Sequence, residues 1–458
     1  MTKKCLLLTP SDFSPTRRRK EKNTWEEKII TSDLFHAPVV FLSSTQQLGS
    51  LPNLSGGHHL HRIFHISLVP IFHKTKGGSA EPSIRKPGHP LVSALAFEYL
   101  CNTMNQPVPH SILSANSLAL TRQDNCFDIL RYYLALVVFC THFSVLTQAF
   151  TFDWITSSGE AVSGFFCLSG FLVCLSYLKT PDLRTYVSKR LRRILPPYWF
   201  IVLLCAFGGV CLTHYTAAGY FTHGQWWRYL VSNLTFLNFL GPTLPGVFEQ
   251  NPETAVNGSL WTLKIEIMLY ATVPIAFALL KRYAKPVVLL GIFAFSITYK
   301  EIFACLYQQS GNAFYAILER QVGSQLIYFY AGTAVLLYFE HLMRYAKPLL
   351  LTVWAIYLLN NRLPGYDYFS PFVFALLLIL TAYQLPKLNI VRHLPNLSYG
   401  IYLFHAPIIQ TATQLGLPQQ HPWLAFVLCL LTTVGLAYLS WHWIEKPFLK
   451  RRQPDAKK

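Results

Sequence analysis

The sequence predicts an all-α protein: a polytopic membrane helix bundle of about ten transmembrane helices with both termini cytoplasmic. Three observations carry that prediction. Of the 458 residues, 52% are apolar and only 13% are charged, about half the charged share usual in a soluble chain. From about residue 127 onward, long apolar runs alternate with short polar joints, and runs of about 20 residues are what a helix needs to cross hydrocarbon. The basic residues, which give a formal net charge of +18, gather at the ends of those runs. Lys and Arg collect in this way in the cytoplasmic loops of membrane proteins.

The predicted spans lie near 127–148, 160–178, 196–214, 261–280, 286–306, 322–340, 348–360, 370–385, 398–413 and 423–444, of which 348–360 is short. Their orientation follows from charge. The joint KTPDLRTYVSKRLRR holds six basic residues and one acid, and basic joints recur at Lys281, Arg282 and Lys285, at Arg344 and Lys347, at Lys387 and Arg392, and in the tail KPFLKRRQPDAKK. All belong on the cytoplasmic side. The segment WWRYLVSNLTFLNF then cannot cross without turning the later basic joints outward. Its Trp pair, Arg228 and Asn233 suit an interfacial or re-entrant helix.

Residues 1–123 differ in composition. They open on Arg17, Arg18, Arg19 and Lys20, continue with Ser, Pro, Gly and His, and show no sustained helical period. The expectation is a disordered extension or a start assigned too early, with Met104 as the alternative start. The apolar run after MTKKC is too short for a signal peptide. His58, His59, His61, His65 and His73 lack a ligand spacing with Cys or Asp, so no metal site is expected. The ten cysteines include no CxxC pair, and Cys140, Cys167, Cys174 and Cys205 sit in apolar runs as small hydrophobes. The positive charge brings no basic helix or nucleic-acid motif with it, so no nucleic-acid partner is expected.

Chemistry is legible where ionisable groups enter apolar sequence, because such groups are costly in a bilayer and face a cavity or a partner. In the first span, FDILRYYLALVVFCTHFSVLTQ, Arg131 and His142 are eleven residues apart. That spacing is three turns plus about 20°, so they share a face about 16 Å apart along the axis. Asp128 lies three residues before Arg131 and can pair with it. Arg131 reads either as an anchor at the cytoplasmic end or as a functional group, and His142 either as packing or as a proton acceptor. Arg190 and Arg193 are spaced as RxxR, which suits phosphate at a membrane surface but also serves as a topology signal. Glu266, in GSLWTLKIEIMLY, reads as a functional carboxylate or as half of a structural pair; Lys264, two residues away, falls on another face. Ser398, Tyr402 and His405 lie on a helix expected to be interrupted at Pro407, and Glu445 and Lys446 close the last span.

Taken together and in this order, these segments resemble the acyltransferase family 3 membrane enzymes, O-acyltransferases of cell-surface polysaccharides. The likeness runs from about Asp128 to Phe448. Arg131 and His142 fit the family's R-x10-H motif, FFCLSGFLV its SGF segment, and RLRRILPPYW its RxxR-I-x-P-x-Y-W segment. SLWTLKIEIMLY fits its SLW-x3-E segment, and LSYGIYLFHAP and WIEKPF its closing segments.

The resemblance implies transfer of an acyl group, commonly acetyl from acetyl-CoA, to a hydroxyl of a glycan or glycolipid, without a metal. It carries the family's arginine and histidine to Arg131 and His142, its RxxR pair to Arg190 and Arg193 beside the donor, and its glutamate to Glu266. The implied partners are an acyl-CoA donor, a glycan or glycolipid acceptor and membrane lipid, and the implied location is the bacterial inner membrane. The chain departs from the pattern at Ser163, where many members carry an acid, and at Ile129 and Tyr132, where Gly and Ala commonly flank Leu-Arg. Ten residues follow WIEKPF, so an acyltransferase module without a fused esterase-like domain is expected. Buried ionisable groups on ten spans also suit a transporter or proton-coupled permease, or a scaffold with inactive motifs; no inverted repeat is visible to favour the permease.

Overall fold

A computed structural model describes residues 112–122, 125–152, 157–180, 182–385 and 395–449. The histidine-rich segment, Met104, Lys387, Arg392 and the last residues of the tail lie outside them. Every long element is helical. The main helices are α1 (Phe127–Thr147), α2 (Ser158–Lys179), α3 (Leu183–Gly208) and α4 (Gly224–Leu234), then α5 (Trp261–Arg282), α6 (Lys285–Ser310), α7 (Val322–Leu337) and α8 (Ala346–Leu358), and finally α9 (Tyr366–Gln384), α10 (Ser398–Gln414) and α11 (Pro422–Ser440). A π-helical turn, Trp441–Glu445, prolongs α11. Ahead of α1, Ala115–Leu120 forms a short helix, and the neighbouring Ile112 is buried among bundle residues.

Seven of the described helices are long and apolar enough to cross a membrane: α1, α2, α3, α5, α6, α9 and α11. The three other spans expected from the sequence coincide with shorter helices, α7, α8 and α10, of 16, 13 and 17 residues. Of these, α7 and α10 run through the protein core, where a helix need not match the full bilayer thickness. The segment expected to be interfacial or re-entrant is α4. Its 11 residues span about 16 Å, too little to cross. It buries Trp226 and Tyr229 and exposes Trp227 and Val231, and Trp226 Nε1 donates to Ala206 O at 2.8 Å.

Local signals explain where the helices start. Ser157 caps α2 by accepting from Glu160 N at 3.2 Å, the first half of a capping box. Asp182 caps α3 by accepting from Thr185 N at 2.7 Å. The expected third span began at 196, but this cap starts the helix at Leu183, so Arg190 and Arg193 stand on a helix face rather than in a joint. The hydrogen bonds from Thr185 hold the Asp182 carboxyl below its ordinary range. A depressed carboxyl stabilises the fold above its unfolded value and loses that effect as pH falls through its folded value. Asp182→Ala should therefore loosen the start of α3 at neutral pH, and should change nothing well below pH ~3. Amide hydrogen exchange at residues 183–186 measures both limbs.

Prolines inside the helices remove a donor four residues after a carbonyl, and at Pro407 and Pro274 a side chain replaces it. The expected break at Pro407 does not occur, because Asn257 Nδ2 donates to the freed Leu403 carbonyl at 2.9 Å. Within α5, Pro274 frees the Tyr270 carbonyl, which accepts from Tyr186 Oη at 2.9 Å. Such substitution is how a helix tolerates proline where no bulk water reaches.

The largest core joins α1, α2, α5, α7 and α9 through side chains such as Leu134, Phe171, Phe277, Phe329 and Ile379. At its centre α2 and α7 cross at two glycines. A Cβ on Gly170 would lie 1.8 Å from Phe329 O, and one on Gly332 would lie 2.0 Å from Cys167 O. Small residues at crossings are what lets membrane helices approach this closely. The outer faces of α6, α8 and α11 expose Leu290, Leu351 and Leu431, as lipid-facing surfaces do.

Candidate active site

A cavity opens between α1, α2, α3, α5 and α10. Its volume is about 100 Å³, and it widens into an open mouth that brings the space to about 820 Å³. Its polar lining comes from Arg131 of α1, Ser169 of α2, Arg190 and Arg193 of α3, Glu266 and Thr262 of α5, and Ser398 and Tyr402 of α10. Four of the five site residues expected from the sequence thus share one cavity. His142 does not line it.

Each charged group is held differently. Arg131 Nη1 donates to Asp128 Oδ1 at 3.2 Å, the pair expected from their spacing. Asp128 also accepts from Asn396 Nδ2 at 3.2 Å, which ties this end of α1 to the approach to α10. Tyr132, one of the departures from the family pattern, reinforces the tie: its Oη donates to Pro395 O and accepts from Leu397 N. Arg190 Nη2 donates to Ser176 Oγ at 2.8 Å, and its guanidinium lies 5.8 Å from the ring centroids of both Tyr186 and Tyr270. The Arg190 Nε is buried with no protein partner. Arg193 has no carboxylate within 4 Å among the described residues, although buried Glu445 lies within its electrostatic reach.

Glu266 accepts from Tyr270 Oη and, at 3.4 Å, from Ser169 Oγ. Lys264 points elsewhere, with Nζ 5.1 Å from the centroid of Phe239. Three guanidiniums therefore face the space against one lining carboxylate, so the cavity favours an anion. Ser163, the other notable departure, lies beside Tyr328 of α7 and is absent from the lining.

His142 meets a residue to which the sequence reading gave no role. Its Nδ1 is 2.7 Å from Nε2 of His405, whose Nδ1 is 3.1 Å from the carbonyl of Ile401. His405 is fully buried, whereas His142 is partly exposed. The His142 ring takes His405 as its hydrogen-bond partner, while the Glu266 carboxylate takes Tyr270 and Ser169. One side chain joins the cavity to the histidines. Tyr402 lines the cavity, its ring lies 5.9 Å from that of His405, and its Oη is 2.6 Å from Thr262 Oγ1.

The position of the Glu266–Tyr270 contact was readable, since four residues separate the two on one helix. The His142–His405 contact joins residues 263 apart, and no local spacing signals it. The one hint was a histidine inside the apolar run of α10.

The sequence profile of the acyltransferase domain, family 3, matches residues 124–442. Nodulation protein 10 of Rhizobium leguminosarum bv. viciae is 28% identical over 72% of this chain and 94% of its own length. An O-acetyl transferase of Shigella phage Sf6 is 25% identical over 72% of this chain and 98% of its own. A longer Bacillus subtilis protein, provisionally named a peptidoglycan O-acetyltransferase, is 24% identical over 66% of this chain and 52% of its own. No solved structure matches the chain.

Proposed function

Because the chain belongs to the acyltransferase family 3 and is an acyltransferase of membrane-spanning helices, we propose that it moves acetyl from acetyl-CoA to a hydroxyl of an envelope glycan or glycolipid at the bacterial inner membrane. The observation that carries the reading is the anion-favouring cavity shared by Arg131, Arg190, Arg193 and Glu266.

Acyl-CoA is an extended molecule with phosphates at one end and the reactive thioester at the other. Arg190 and Arg193 hold the phosphates, since guanidinium presents a fork of donors that matches phosphate oxygens. Arg190 is prepared for this by Ser176 and two aromatic rings, which fix its plane before any ligand arrives. The thioester extends along α1 past Tyr402 toward His142. Arg131 and His142 are about 16 Å apart along that helix, so they serve opposite ends of the donor. An acceptor hydroxyl attacks the thioester carbonyl while its proton passes to His142. The sulfur leaves as thiolate and takes a proton to become the free thiol of CoA. Glu266, fixed by Tyr270 and Ser169, accepts hydrogen bonds from other hydroxyls of the acceptor.

Arg190→Gln and Arg193→Gln should each raise the KM for acetyl-CoA about 10–100-fold, the loss of one charge-assisted contact, with a smaller change in kcat. Initial rates in membrane vesicles with labelled donor measure this; unchanged KM values in both variants would remove the phosphate assignment. The overall reaction is tested by glycan mass spectrometry of cells with and without the protein, where the acetylated species is heavier by about 42 Da, the mass added when acyl replaces hydrogen. Solute uptake without donor consumption would overturn the reading.

A further inference from the structure

We infer that His405 is a positioning residue that fixes the tautomer of His142 and so leaves the reactive nitrogen of His142 free. The inference rests on the proposed transfer reaction and deepens it by adding a residue.

The hydrogen bonds of the two rings fix where their protons sit. The carbonyl of Ile401 can only accept, so the hydrogen bond at 3.1 Å requires the proton on His405 Nδ1. A neutral imidazole carries one such proton, so His405 Nε2 holds a lone pair. The 2.7 Å contact from that nitrogen to His142 Nδ1 then requires the proton on His142 Nδ1. His142 Nε2 is left with its lone pair and no proton, the state a base needs to accept one from a hydroxyl. A cationic His405 would reverse the second hydrogen bond, but neither ring has a carboxylate within 4 Å among the described residues, and an unpaired cation enclosed by helices is costly.

The surroundings fix His405 as well as its proton. The ring is fully buried, and its helix is held from two sides. Asn257 donates to Leu403 O at 2.9 Å, and Tyr402 is tied to Thr262 at 2.6 Å. The chain thus spends a buried, protein-saturated histidine on orienting a partly exposed one. Setting one ring nitrogen through the hydrogen bond of the other is how imidazole tautomers are generally selected.

The test uses the full-length protein in membrane vesicles with labelled acetyl-CoA. His405→Leu removes the acceptor, so kcat should fall about 100-fold, a smaller loss than the roughly 10⁴-fold that follows when a carboxylate orienting a histidine base is replaced, because a neutral ring orients but does not stabilise the imidazolium. The KM for donor should stay within about twofold, because no donor contact has changed. His405→Gln restores an acceptor near the same place and should recover at least ~10-fold of that loss. The double variant His142→Ala/His405→Leu should be no slower than His142→Ala alone, since residues acting through one group are not additive.

Equal losses in the Leu and Gln variants at matched melting temperature, or a further fall in the double variant, would overturn the positioning role while leaving the transfer reaction intact. If His405→Leu does not accumulate as folded protein, the Gln variant and the double variant His142→Ala/His405→Gln decide by the same criteria. Full transfer by His142→Ala would instead remove the base itself, and the proposed mechanism with it.

Discussion

Replacing His142 with alanine should lower kcat for acyl transfer at least about 1000-fold, within the range that a positioned general base contributes, while donor KM changes less than threefold. A sugar hydroxyl at neutral pH is almost wholly protonated and attacks a thioester only as its proton departs. His142 is partly exposed, already paired through its Nδ1, and stands on the same helix that carries Arg131 to the cavity. The arginines proposed to hold the donor lie in the cavity, to which His142 contributes no lining atom, so binding should survive its loss. Rates and donor affinity measured separately in vesicles distinguish the two. A His142→Ala protein with full activity would exclude the ring both as base and as a covalent acyl carrier. The substitution also leaves His405 Nε2 without its partner, a cost to stability of about 1–3 kcal/mol, so folded protein must be quantified in each preparation.

The second large effect concerns the fold. Gly170→Ala should cost at least about 3 kcal/mol, the upper part of the usual range for overpacking, and sharply reduce the yield of folded, detergent-extractable protein. The added Cβ meets a backbone carbonyl, Phe329 O, at 1.8 Å, and a backbone cannot rotate out of the way as a side chain can. The opposite contact, Gly332 on Cys167 O, means that moving α7 to relieve one glycine tightens or breaks the other. Thr333 adds to the register by donating to Gly170 O at 3.2 Å. Gly435→Ala is the control, since a Cβ there meets nothing within 4 Å and alanine favours helix by up to about 1 kcal/mol. Size-exclusion profiles and melting curves in detergent measure both variants. A Gly170→Ala protein that matches the parent in yield and melting would sink the account of this crossing.

What the sequence revealed and what it hid divide along the distance over which each feature is made. The membrane helices were legible because apolar length and flanking charge are local properties. Asp128 with Arg131 was legible for the same reason. The start of α3 was not, because the basic residues after Asp182 looked like a loop to a hydropathy reading, whereas one carboxylate capping Thr185 suffices to begin a helix there. The break expected at Pro407 failed because the replacement donor, Asn257, lies 146 residues away from the carbonyl it serves. The candidate site shows the same split. Its charged residues stood out one by one, but only the fold gathers Arg131, Arg190, Arg193 and Glu266 and sets His142 against His405.

The histidine contact also has a consequence for how the protein is made. His142 is translated 263 residues before His405. At the usual 5–20 residues per second, its first span enters the membrane with that ring unpartnered for roughly 10–50 s. Over that interval the nascent chain carries a polar group whose partner arrives only with the ninth expected span, so a ribosome halted before α10 leaves His142 without the ring that pairs with it.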